Sequence, residues 1–79
     1  MRLDKYLKVS RLIKRRSVAN EACDAGRVQI NGRVAKASAE VKTGDEIVIG
    51  FGNKEMRVRV LDVSEVIRKE EAKEMYEIL

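Results

Sequence analysis

The 79 residues contain no histidine, no proline and no tryptophan, and only one cysteine, Cys23. Each absence closes off a class of function. Without histidine the commonest general acid/base is missing, and Cys23 has no imidazole to activate its thiol. A lone cysteine forms no intramolecular disulfide, and with no histidine beside it the usual transition-metal ligands are missing as well. No catalytic residue, no metal and no cofactor is therefore expected, and the chain reads as a non-enzyme. No apolar run approaches the roughly 18–20 residues that span a bilayer. Arg2, Asp4 and Lys5 also interrupt the N-terminus where a secretion signal would place its apolar core. The expectation is a cytoplasmic monomer with no membrane contact. Aromatics are scarce too: Tyr6, Phe51 and Tyr76 are all there are, so base stacking is not expected to dominate any contact with nucleic acid.

What the chain does have is charge, unevenly placed. Residues 1–36 carry ten Lys/Arg against three Asp/Glu, a net of +7, whereas residues 37–79 carry seven against ten, a net of −3. Mixing both signs along the chain would serve solubility better. Segregation instead implies a molecule with one side facing an anion. The length allows one domain, residues 1–79, with a small core. No linker, repeat or low-complexity tract divides it.

The apolar spacing sets the elements. Leu3 and Leu7, with Tyr6 beside them, make the stripe of a short helix, and Arg2, Lys5 and Lys8 recur on a neighbouring face. Ala19, Ala22 and Cys23 predict a second helix over 16–25 that packs closely, with Cys23 as a small buried apolar residue. Ser17 is the candidate N-cap, and Gly26 is the stop. From Arg27 the period becomes two: Val28 and Ile30, the turn Asn31-Gly32, and the returning Val34 predict a hairpin. A turn at Thr43-Gly44-Asp45 precedes a strand over 46–50, and Gly52-Asn53 turns into an alternating strand with Met56, Val58 and Val60. Ala72, Met75, Tyr76 and Leu79, spaced by three and four, predict a C-terminal helix. The expected fold class is α+β, with two short N-terminal helices packed on a small, mainly antiparallel sheet and a helix at the end.

The anion is best matched by a phosphate backbone. Lys and Arg neutralise phosphates and release counterions, and Arg adds a bidentate fork. The candidate RNA-binding residues are Arg2, Lys5, Lys8, Arg11, Lys14, Arg15 and Arg16, with Arg27 and Arg33 flanking the hairpin as extensions. Arg2 and Arg16 are read as exposed phosphate contacts that carry no core volume. A folded, duplex-rich RNA suits them better than a single strand. The residues alone leave another reading open, a protein-interaction adaptor whose acidic C-terminal segment docks a partner.

Arg-Leu-Asp at 2–4, Arg16-Ser17-x-Ala19, Gly26-x-Val28-x-Ile30-Asn31-Gly32 and Val41-x-x-Gly44-Asp45 follow one another over about residues 2–50. In that order they resemble the alpha-L RNA-binding motif, the RNA-binding domain of the small-subunit ribosomal protein numbered four. Arg15 departs from the pattern, since many members have Ser or Thr there. The resemblance implies that the first two helices present cations to structured RNA, with Arg2 and Arg16 foremost because they fall inside the motif. The freestanding ribosome quality-control members of the family, and the related heat-shock rescue members, are the most similar in layout. They imply binding to large-subunit ribosomal RNA and to peptidyl-tRNA on stalled large ribosomal subunits. An alanine-tailing quality-control factor would be a further partner. A general ribosomal RNA binder in ribosome assembly is the alternative within the same class.

Overall fold

The computed structural model describes residues 1–64 and 69–79. Two helices, α1 (Leu3–Val9) and α2 (Arg16–Asp24), precede the strands β1 (Val28–Ile30), β2 (Arg33–Val34), β3 (Glu46–Phe51) and β4 (Lys54–Val60). A 3-10 helix, Lys69–Glu74, leads into a last strand, β5 (Tyr76–Ile78). The strands form one sheet in the order β2-β1-β3-β4-β5, and every neighbouring pair is antiparallel. Helices on a mainly antiparallel sheet is the α+β layout that the spacing implied.

The turns obey local chemistry. Asn31 and Gly32 both have positive φ, 52° and 84°, as a two-residue turn matched to strand twist requires. Gly26, at φ 73°, ends α2 in the left-handed region that glycine enters without a Cβ clash. Inside, Leu3, Tyr6 and Leu7 of α1 and Ala19 and Cys23 of α2 pack on Val28, Ile47, Ile49, Val58 and Val60 of the sheet. Val41 and Met75 belong to the same buried cluster.

Two expectations need correction. The C-terminal spacing of three and four does not make an α-helix. Ala72 and Met75 are buried as the pattern demanded, but Ala72 sits in the 3-10 helix and Tyr76 opens a strand. β5 pairs with β4 through Val58–Ile78, Arg59–Glu77 and Val60–Tyr76, and the Leu79 N–H donates to the Arg57 carbonyl at 2.9 Å. The unpaired backbone groups along the edge of β4 outweigh four residues of helical spacing. The earlier part of that segment, residues 65–68, lies outside the described residues. Ser17 is not the N-cap of α2 either. Arg15 occupies that position, extended at φ −122° and ψ 136°, and provides no side-chain cap.

Candidate nucleic-acid interface

The site begins with how α1 starts. Its N-cap, Arg2, gives no side-chain cap. The first N–H groups of the helix are instead taken up by the chain that follows the hairpin: Leu3 donates to the Ala39 carbonyl at 2.8 Å and Asp4 to that of Ala37 at 3.1 Å. Val41 returns a bond to the Met1 carbonyl, and the terminal ammonium pairs with Glu40 at 3.1 Å. This clamp presses the first turn of α1 into the body of the protein and carries Asp4 with it.

Asp4 is consequently a carboxylate with only 3% of its side chain exposed. Such a charge persists only when neutralised and hydrogen-bonded. Arg2 meets it with Nε at 3.2 Å from one oxygen and a terminal nitrogen at 3.3 Å from the other. Arg16, at the start of α2, does the same from the other side, at 3.3 Å and 3.4 Å. The Asn20 amide, one turn along α2, donates at 3.4 Å, and the Lys5 N–H at 2.8 Å. Burial by itself would raise the Asp4 pKa. The bonds from Arg16, Arg2, the Lys5 backbone and Asn20 together outweigh it and hold the carboxyl below its ordinary 3.8.

The two arginines are thus locked side-on to a single carboxylate while about half of each side chain, 51% and 49%, faces solvent. Each fork uses one edge on Asp4 and keeps its remaining N–H donors for something outside. One carboxylate under two guanidiniums leaves a net positive charge at a fixed position. A cleft of about 560 Å³ opens beside this cluster, with Arg2 and Asn20 in its wall. α2 adds to the field, since its first turn holds no acid and its N-terminal dipole end faces the same neighbourhood as Arg15 and Arg16.

The structure therefore joins Arg2 and Arg16, the two motif arginines, but not as fully exposed contacts, because each also neutralises a buried charge. Lys8, Arg11, Lys14 and Arg15 lie exposed along α1, the connection between the helices and the start of α2. Arg11 holds a positive φ of 64° in that connection. Lys5 is half-buried. Arg27 follows α2 and lines a separate groove beside β3, and Arg33 is exposed on β2. Asp4 and Asn20 are the members of the cluster that charge reading passed over. Asp4 stands inside the Arg-Leu-Asp motif, and an acid in so basic a stretch was the available signal. Among the described residues no group of three or more His, Cys, Asp or Glu is placed to hold a metal ion. Cys23 is buried below the cluster, and burial, then the charges of Asp4 and Asp24, pushes its thiol up to about 11, which leaves it unreactive. Among the described residues, no helix is long and apolar enough to cross a membrane.

The family model described as S4 domain matches residues 1–47. The chain is 59% identical, over 99% of its own length and 89% of the relative's, to a protein named RQC P-site tRNA stabilizing factor from Halalkalibacterium halodurans. A protein of the same name from Bacillus subtilis is 57% identical over 100% of this chain and 92% of its own. The fold superposes with a TM-score of 0.91 on a trimeric structure of heat shock protein 15 from Vibrio cholerae, at 34% identity, covering 100% of this chain and 81% of the other.

Proposed function

This chain belongs to the S4 domain family, and from that premise we propose that it is a non-catalytic RNA-binding protein that stabilises tRNA on the ribosome during quality control. In more detail, it binds large-subunit ribosomal RNA and peptidyl-tRNA on stalled large subunits. There it holds the tRNA while a separate factor extends the nascent chain with alanine. The observation that carries the reading is the pair Arg2 and Arg16 forked onto buried Asp4. A free arginine loses rotamer freedom when it grips a phosphate, whereas these two have already been ordered by folding. The clamp is therefore suited to holding an RNA backbone in one position, which is what a stabilising factor requires. The names of the relatives support the tRNA assignment. The cations spread over α1, the connection and α2 suit contact with two RNA surfaces, each making the other effectively intramolecular.

The experiment is co-sedimentation with purified large subunits prepared with and without peptidyl-tRNA, using the wild type and a folded Arg16→Ala variant. Stronger retention on the tRNA-bearing subunits, reduced in the variant, is the expected outcome. Equal retention on both preparations would leave a general ribosomal RNA binder. Retention untouched by nuclease would instead point to a protein adaptor.

A further inference from the structure

The cleft of about 560 Å³ beside the arginine clamp is lined by two kinds of group. Arg2, before α1, and Lys36, after β2, bring cations to it. Asn20 and Asp24, four apart on α2 and so on one face of it, bring oxygens. Chemistry fixes which way round the Asn20 amide sits. Its Nδ2 donates to Asp4 Oδ2 at 3.4 Å, and a carboxylate only accepts, so the carbonyl Oδ1 is turned away from Asp4. Among the described residues no group donates to that Oδ1, and no buried side-chain oxygen is left without a partner, so it is open to solvent. Arg2 is likewise only half used. Its Nε and one terminal nitrogen are on Asp4, and the other terminal nitrogen keeps both of its N–H groups. Asp4 thus anchors one donor and one acceptor that line the same cleft and have no further partner among the described residues.

We propose that this cleft takes one ribose–phosphate unit of the bound RNA, its phosphate on Arg2 and Lys36 and its 2′-hydroxyl donating to Asn20 Oδ1, so that Asn20 tells RNA from DNA. The inference rests on the RNA-binding reading above and names what that site reads. The occupant is selected by what each lining group can pair with. A bare anion would satisfy Arg2 and Lys36 but would set its oxygens against Asn20 Oδ1 and the Asp24 carboxylate, which only accept. A DNA strand has the same shortcoming, because its sugar has no 2′-hydroxyl to donate. A ribonucleotide carries the anion and the donor within one unit. The 2′-hydroxyls also line the wide, shallow minor groove of an A-form helix, so the unit is reached without unpairing a base. Of the two acceptors Asn20 is the anchored one: it is half-buried and bonded to Asp4, whereas Asp24 is exposed.

The test compares a paired RNA hairpin with the same sequence carrying fluorine in place of every 2′-hydroxyl, which keeps the charge and the A-form but has no donor. At one fixed salt concentration the wild type is expected to bind the ribose hairpin about fivefold more tightly, the effect of one neutral hydrogen bond. Two variants assign that preference. Asn20→Ala removes the acceptor, and Asn20→Lys removes it while still offering Asp4 a donor. Both should bring the two affinities together with an unchanged circular dichroism spectrum. A loss of affinity in equal proportion for both hairpins, with the preference intact, would show Asn20 acting only by holding the arginines, and it overturns the assignment. Equal binding of the two hairpins by the wild type overturns it too, and gives the cleft to a base edge or a protein side chain. Binding to neither hairpin overturns the RNA-binding reading, and the cleft assignment with it.

Discussion

Two ion-pair sites in this molecule use the same chemistry in opposite surroundings. At one, Arg59 of β4 meets Glu77 of β5 at 2.9 Å, with 45% and 46% of the two side chains exposed. At the other, Arg2 and Arg16 meet Asp4 at 3.2 and 3.3 Å, but the carboxylate is only 3% exposed. The shorter contact is the weaker one. Water competes for both partners at the first site, so forming the pair changes little. At the second the carboxylate has already lost its hydration, and removing its partners strands a buried charge. Separation alone does not rank ion pairs; the solvent that each partner has given up does.

That contrast is open to a direct attack. The largest effect should come from removing both guanidiniums: Arg2→Ala with Arg16→Ala should cost about 3–5 kcal/mol, a large share of the stability of so small a domain. Each single variant should cost only about 1–2 kcal/mol, because the other fork still neutralises Asp4. Urea denaturation would measure both, and strict additivity would show that the two arginines do not share one partner. Acid sharpens the same point. The folded pKa of Asp4 lies below its ordinary value, so its contribution is fully present above that value and is lost as pH falls through the lower, folded one. The wild type should therefore keep this contribution from pH 7 down to about 3.8. In Arg16→Ala the folded pKa moves up towards that value, so less stability is lost on acidification below it, and an acid dependence as large as the wild type's would contradict the account.

A smaller effect tests how the sheet's last strand is tied to the basic half. The Tyr6 hydroxyl, fully buried, donates to the Met75 carbonyl at 2.8 Å, and burial raises its pKa far above the ordinary phenol range. Tyr6→Phe should cost about 1 kcal/mol by removing that bond, the Met75 carbonyl still accepting from the Leu61 and Asp62 N–H groups at 2.7 and 3.1 Å. It should also speed amide exchange in β5 relative to β1. Equal exchange changes in both strands would mean that the bond does not tether the C-terminal segment. The smallest effect belongs to Arg59→Ala, which should shift stability by less than about 0.5 kcal/mol. A loss as large as that of Arg16→Ala would erase the distinction between the two sites.

The parts of the fold legible in the sequence are those decided within a few residues. Asn31-Gly32 makes its turn because those two residue types tolerate positive φ, and Val28 and Ile30 face inward because alternation leaves them no other side. The narrow face of Ala19 and Cys23 is buried for the same local reason. The C-terminal segment was misread because its fate lies on another strand. Ala72, Met75, Tyr76 and Leu79 have helical spacing, yet β4 offers a ladder, and a helix there would leave that edge unpaired. Ile78, on the strand that results, remains 69% exposed, so burial of its side chain is not what drew the segment in. Backbone pairing is.

The candidate site divides along the same line. Composition and order determined that the first half is basic and that Cys23 is a packing residue, because charge and residue type are properties of the chain itself. Only the tertiary structure decided that Asp4 is buried, since that depends on residues 37–41 closing over the start of α1, some 35 positions away in sequence. Once Asp4 is inside, the low local dielectric makes its neutralisation obligatory, and the nearest cations become a fixed pair instead of two mobile side chains. The sign of the surface was written in the residues, and its rigidity came from the desolvation of a single carboxylate.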